Sequence, residues 1–174
     1  EDGIRDDLVT GVQTCALPIL TPAVKFLERS GVSFELHRYE ASTASGYALE
    51  AAELLGLAPE QVFKTLLAEV DTKHLVVALV PAGGQLSLKR LARAAGGKKA
   101  TMADPAKAER ATGYVVGGIS PFGQRRRLPV YVDQSATTHA TIHVSGGQRG
   151  LEIEIAPDAL VGVCQATIAD LAAE

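Results

Sequence analysis

From Thr21 onward, the apolar and polar positions fall into a regular series of short elements. Thr21-Pro22 has the make-up of an N-cap and first-turn pair. Ala23 to Ser30 then places Val24 and Leu27 on one helical face, and Gly31 supplies the C-cap. Val32-Ser-Phe-Glu-Leu-His37 alternates apolar and polar, which predicts a half-buried strand. Ala41 to Gly46 is a loop of small residues, and Tyr47 to Leu55 is an alanine- and leucine-rich helix closed by Gly56. After a turn at Pro59 to Gln61, Val62 to Val70 and His74 to Val80 read as two strands joined by Asp71-Thr-Lys73.

The second half continues the pattern. Pro81-Ala-Gly-Gly84 is a loop, Ser87 to Ala95 a basic amphipathic helix, and Lys98 to Met102 a short strand. Asp104 is placed to N-cap a helix starting at Pro105. Gly113 to Val116 is expected as a strand entering a glycine loop. Pro129 to Asp133, Thr141 to Val144 and Leu151 to Ile155 are three further strands. Pro157-Asp158 opens a turn or helix, followed by an expected short strand near Cys164 and a helix from Ile168. Strands in mixed order with helices of unequal length predict an α+β domain, with a mixed central sheet that curls toward a barrel and is flanked by helices. No internal repeat is evident.

Residues 1–20 stand apart from this pattern. They have no amphipathic period, and Asp6-Asp7 argues against a targeting peptide. The expectation is a non-native or disordered extension at 1–20 and one domain at 21–174, the count that 174 residues suggest. The longest apolar runs, such as Leu75 to Val80, are strand-sized and too short to span a membrane. Cys15 and Cys164 lie far apart with no metal or disulfide spacing, so a reducing cytoplasm is the default.

Charge adds one feature. The net charge is −3, but four acids lie within the first twenty residues against Arg5 alone. In the neutral remainder the bases cluster from Lys89 to Arg110 and again at Arg125-Arg-Arg127. Such a cluster is either a solvated face or a phosphate-contacting surface.

Conventional catalytic equipment is scarce, with no nucleophile elbow, zinc-protease signature, P-loop or dinucleotide fingerprint. Lys64 interrupts the apolar run Val62-Phe-Lys-Thr-Leu66, where alternation groups it with Val62 and Leu66. It is either a sheet-edge lysine in water or a cleft cation for a phosphate or carbonyl oxygen. Gly117-Gly-Ile-Ser-Pro-Phe-Gly123 is either a bulge or a loop offering backbone N–H groups to an anion. Ser145-Gly-Gly-Gln-Arg-Gly150 is a hairpin loop or a second such element. His37, His74, His139 and His143 find no carboxylate or cysteine in the sequence pattern to complete a set, so no metal is expected. Cys164 reads as buried and inert.

At these motifs the chain resembles the YbaK/EbsC family of editing domains associated with prolyl-tRNA synthetase. Val62-Phe-Lys-Thr-Leu66, Met102-Ala-Asp-Pro105, Thr112 to Gly123 and Val144 to Ile155 carry the resemblance, in order and with matching spacing. It runs from Thr21 to the C-terminus. It implies a trans-editing aminoacyl-tRNA deacylase with no metal or organic cofactor, acting on mischarged Cys-tRNA(Pro). Partners would be the mischarged tRNA(Pro) and prolyl-tRNA synthetase, with no membrane, and the protein would be a monomer. Lys64, Gly117 and Gly118 correspond to catalytic positions, the lysine placing the aminoacyl-adenosine end and the glycines admitting the ester carbonyl. Tyr39, Tyr47, Thr65, Ser120, Pro121, Ser145, Gly147, Arg149 and Glu152 correspond to substrate-binding positions. Asp also occurs at the position of Glu152.

The resemblance further implies substrate-assisted chemistry, in which the substrate's cysteine thiol attacks its own ester. Two other readings stand beside it: a deacylase for Ala-tRNA(Pro) or another mischarged tRNA, and a non-catalytic module that binds aminoacyl-tRNA.

Overall fold

The computed structural model describes residues 20–42 and 46–173, so residues 1–19 of the extension expected at 1–20, and the centre of the 41–46 loop, lie outside the described residues. Helix α1 (Pro22–Ser30) begins as expected: the Thr21 hydroxyl accepts the Val24 N–H, and Gly31 closes the helix in the left-handed conformation at φ 75°. Strand β1 (Glu35–Arg38) leads to α2 (Tyr47–Leu55). A 3-10 turn at Pro59–Gln61 precedes β2 (Phe63–Val70), which turns through Asp71 and Thr72 into β3 (His74–Pro81). Three residues, Asp71 to Lys73, join the strands; Asp71 and Thr72 have positive φ, and the Lys73 N–H closes the turn on the Val70 carbonyl at 3.1 Å. The Asp71 carboxylate accepts the Lys98 and Lys99 N–H groups, which fastens this turn to the next segment.

Helix α3 (Leu88–Ala94), β4 (Ala100–Met102) and α4 (Pro105–Thr112) follow, α3 and α4 being capped by Ser87 and Asp104 respectively. Then come β5 (Val130–Asp133), β6 (Ile142–Ser145), β7 (Leu151–Ile155), α5 (Pro157–Cys164) and β8 (Thr167–Ala169). Two expectations fail locally. Residues 113–116 form bends and a turn rather than a strand. Tyr114 is drawn inward instead, where its hydroxyl donates to the Phe122 carbonyl at 2.5 Å. At the C-terminus, α5 runs through Cys164, and residues 167–169 form β8 where a helix was expected. The Asp133 carboxylate then captures the Leu171 and Ala172 N–H groups (2.8 and 2.9 Å), holding the segment extended.

The strands make two sheets. One has the order β1-β7-β6 and is antiparallel; the other, β4-β2-β3-β5-β8, is mixed. The α+β class stands, but the sheets do not close into a barrel. Among the described residues they are linked by a bridge from Val62 to His143 beside the β2–β6 contact. The main core lies between the sheets, with Leu36, Val144 and Ile153 facing Phe63, Val77 and Leu79. A second core forms on the far face of the larger sheet, where Val76, Ala78 and Val80 pack against Leu91 and Ala92 of α3. Burial on both faces explains why β3 is apolar throughout rather than alternating.

Candidate functional site

The site arises from a mismatch of strand lengths. β2 pairs with β3 along all eight residues, but with β4 only at Ala68, Glu69 and Val70. The Ala103 N–H caps the Leu67 carbonyl at 3.0 Å, and among the described residues no strand continues past it. Backbone groups alternate sides along a strand, so the N–H and C=O of Thr65 point toward the gap that β4 leaves. Helix α2, the start of α4, the turn at 116–119 and the ends of β6 and β7 enclose that gap. The result is a cleft of about 420 Å³.

Lys64 is opposite Val80, and Thr65 is opposite Leu79. Lys64 therefore emerges beside the α3-side core and Thr65 beside the main core, as alternation predicts. Phe63, Leu67, Ala103, Ala108 and Ile119 supply apolar wall. Leu49, Met102 and Val116 are exposed members of the lining.

The two glycine loops meet at this cleft. Gly117 has φ +98°, and a Cβ there would come within 2.8 Å of the Tyr47 ring. At Gly118 a Cβ would come within 2.9 Å of the Gln148 Cα. Close approach therefore requires both glycines, and at Gly117 the backbone conformation requires it as well. The Gly118 N–H donates to the Val115 carbonyl at 2.8 Å and so closes the turn. The Arg149 guanidinium lies 4.8 Å from the centre of the Tyr47 ring, a cation–π contact that braces the aromatic side chain. The second loop is tied down at several points. The Thr21 hydroxyl donates to the Gly146 carbonyl (2.6 Å), Gly147 N–H donates to the Ser145 hydroxyl (3.2 Å), and Tyr39 N–H donates to the Gly150 carbonyl (3.0 Å).

Glu152 is opposite His37 on β1 and Ser145 on β6, and it lines the cleft although only 5% exposed. Its Oε1 is buried with no hydrogen-bond partner, as is the Thr65 hydroxyl. Burial pushes the Glu152 carboxyl up to about 8, so it carries its proton at neutral pH. Burial also lowers the Lys64 ammonium. The Tyr39 hydroxyl is raised, by burial first and then by the Glu152 charge. The cleft is thus a low-polarity chamber with a few hydrogen-bonding groups directed into it.

Of the residues singled out from the sequence, Tyr39, Tyr47, Lys64, Thr65, Gly117, Ser145 and Glu152 line this one cleft. Gly118, Gly147 and Arg149 line a neighbouring hollow of about 590 Å³ with Thr21, Arg38 and Gln148, and the two share Val116. Ser120 and Pro121 line neither: Ser120 is fully buried, its hydroxyl accepting the Phe122 N–H, and the Pro121 carbonyl faces the Cys164 thiol. Burial raises that thiol to about 12, consistent with an inert cysteine.

The histidines correct an expectation. Glu154 stands beside His37 and His143, so a carboxylate does complete a set. The open β2 edge was not read from the sequence, although the strands expected at 62–70 and 98–102 already differed in length.

Residues 44–163 match the family model described as the aminoacyl-tRNA editing domain. The chain is 34% identical to EbsC of Enterococcus faecalis, a protein named as a candidate Cys-tRNA(Pro)/Cys-tRNA(Cys) deacylase, over 87% of this chain and 92% of that protein. It is 31% identical to the multifunctional Ser/Thr-tRNA deacylase ProXp-y of Escherichia coli, over 63% of this chain and 66% of the other. Among solved structures, a candidate trans-editing enzyme for prolyl-tRNA synthetase superimposes with a TM-score of 0.78 at 27% identity, covering 90% of this chain and 100% of that one.

Proposed function

The chain belongs to the aminoacyl-tRNA editing domain family, and on that premise we propose that its cleft removes cysteine from mischarged Cys-tRNA(Pro) with the substrate's own thiol as nucleophile. The observation that carries this reading is the chemistry of the lining. Its two aliphatic hydroxyls lack a base: Ser145 accepts a backbone N–H, and Thr65 is unpartnered. Lys64 and Glu152 are both pushed toward their neutral forms. Such a site orients a substrate that brings its own nucleophile.

In the proposed step the cysteine sulfur bonds to the ester carbonyl carbon, and the bond from that carbon to the ribose oxygen breaks. The thiol proton passes to the departing ribose oxygen, leaving a cyclic thiolactone and free tRNA. Gly117 gives the carbonyl room, and Lys64 holds the aminoacyl-adenosine end as a compact cation. Tyr39 and Tyr47 offer flat faces to the terminal base. Glu152 anchors the α-amino group.

A second reading follows from the free Thr65 hydroxyl and the similarity to ProXp-y. In this reading the hydroxyl recognises a serine or threonine side chain, and water is the nucleophile. Synthetase errors of this size arise because a pocket discriminates weakly between isosteric side chains. The proposed setting is the cytoplasm, with the protein acting as a monomer alongside prolyl-tRNA synthetase.

The test is deacylation of Cys-, Ser-, Thr-, Ala- and Pro-tRNA(Pro), with and without that synthetase. The thiol route requires cysteine to be released far faster than serine or alanine. Equal rates for cysteine and alanine would eliminate it, and a preference for serine and threonine would establish the second reading.

A further inference from the structure

His37 on β1, His143 on β6 and Glu154 on β7 come from three adjacent strands of the smaller sheet. His143 is directly opposite Glu154, and His37 is opposite Glu152, two residues along β7. Opposed residues share a face, as do residues two apart, so all three side chains project from one side of the sheet. One donor atom from each lies within 4.8 Å of the other two. His37 Nε2 and Glu154 Oε1 are 2.8 Å apart, and the two imidazole rings are 5.3 Å apart and tilted by 57°.

The surroundings are those of a prepared ligand set. The second carboxylate oxygen of Glu154 accepts the Thr141 hydroxyl at 2.6 Å, which orients the group and leaves Oε1 facing the histidines. His143 is only 4% exposed, and its Nδ1 is buried with no hydrogen-bond partner. The His37 and Glu154 side chains are 30% and 25% exposed, so solvent reaches the cluster.

We propose that His37, His143 and Glu154 form a binding site for a divalent transition ion, zinc in the first instance, which clamps β1, β6 and β7 together. Two imidazoles and one carboxylate suit zinc, whereas magnesium and calcium prefer sets made of oxygen. Zinc bonds of about 2.0–2.2 Å in a tetrahedron separate ligand atoms by about 3.4 Å. The present separations bracket that value, and rotation of the two part-exposed side chains brings them to it. Water completes the fourth position. Thr141 acts as the outer partner that fixes the carboxylate. The clamp stands behind the cleft wall, because Glu152 and Ser145 lie on the strands it joins. This inference is independent of the deacylase reading.

The experiment uses the full chain without a polyhistidine tag, stripped with chelator and then supplied with zinc chloride alone. Zinc retained after desalting is counted by mass spectrometry, and affinity is measured by competition with a chromophoric chelator. About one zinc per chain should remain, with a raised melting temperature. His37→Gln and Glu154→Gln, both at part-exposed positions, should abolish retention while circular dichroism stays unchanged. Thr141→Val should weaken binding about 10- to 100-fold. His74→Gln and His139→Gln should bind as the parent does. A parent chain that retains no zinc overturns the site, as does undiminished retention by both His37→Gln and Glu154→Gln.

Discussion

Glu152 shows at the residue scale how burial converts an acid into a neutral donor. The folded protein holds this proton up to about pH 8, whereas an unfolded chain releases it near the usual value of 4.5. Between those limits the folded state binds more protons. The stabilisation is complete below about pH 4.5, falls as pH rises, and is lost above about 8, with a slope of at most about 1.4 kcal/mol per pH unit. Glu152→Gln, neutral at every pH, lacks this slope. Thermal melts in chelator at pH 5, 6, 7 and 8 should show the variant gaining steadily on the parent. Parallel curves would mean that Glu152 ionises like an exposed carboxylate. Lys64 is the complementary case, a cation whose proton is loosened by partial burial. Lys64→Met keeps the length of the side chain and removes its charge. If Lys64 holds the substrate, kcat/KM for deacylation should fall about 10²- to 10³-fold with little change in melting temperature. Full activity would remove the lysine from the mechanism.

At the scale of elements, the cleft depends on loops that cannot tolerate side chains. Gly117→Ala adds a Cβ at a positive φ and drives it into the Tyr47 ring. The backbone strain costs about 1–3 kcal/mol, and displacement of Tyr47 should lower deacylation beyond what the stability loss explains. Gly117→Ala combined with Tyr47→Ala separates the two effects, because it removes the clash and keeps the strain. A melt that matches the parent for Gly117→Ala would show that the loop is not confined. Thr21 links an element end to a loop, since its hydroxyl both caps α1 and donates to Gly146. Thr21→Ala should cost about 1–2 kcal/mol, and Thr21→Ser should restore most of it. Equal losses in both would assign the effect to the missing methyl group.

The elements differ in how far the sequence disclosed them. Caps, glycine stops and alternation are local, so α1, α2, α4 and β7 were legible with their ends close to the observed ones. Residues 113–116 were not. Their β-branched valines favour a strand, but Tyr114 finds a buried carbonyl partner that only the folded chain supplies. β8 depends likewise on Asp133, which is paired with Ala169 and whose carboxylate holds Leu171, 38 residues along the chain. For the site, glycines and a lysine in an apolar run marked the parts. The separation of Gly147 and Arg149 into a second hollow, and the arrival of Glu154 beside two histidines, required the strand register.

The charge of the whole molecule appears at odds with its proposed substrate, since a chain of net charge −3 must hold a polyanion. The resolution lies in where its cations stand. Arg125, Arg126 and Arg127 are exposed, and the Arg125 and Arg126 N–H groups donate to the Thr112 and Ala111 carbonyls at the end of α4. The Arg125 side chain lies 3.6 Å from where a Cβ on Gly113 would sit, and Gly113 lines the second hollow with Arg38 and Arg149. The Arg125, Arg38 and Arg149 side chains therefore bring positive charge to that hollow, which adjoins the cleft through Val116, where the Glu109 carboxylate accepts the Val116 N–H. A local cationic track of this kind can bind phosphate on a molecule that is acidic overall. Each phosphate neutralised on a single strand contributes about 0.7 to the slope of log affinity against log salt. Replacing all three arginines by glutamine should thus flatten that slope by up to about 2 and weaken tRNA binding. If the arginines contact the tRNA backbone and the cleft selects the amino acid, as proposed, the ranking of aminoacyl groups in the deacylation panel should not change. An unchanged slope would place the tRNA on another face, and an altered ranking would show that the arginines reach the reacting end.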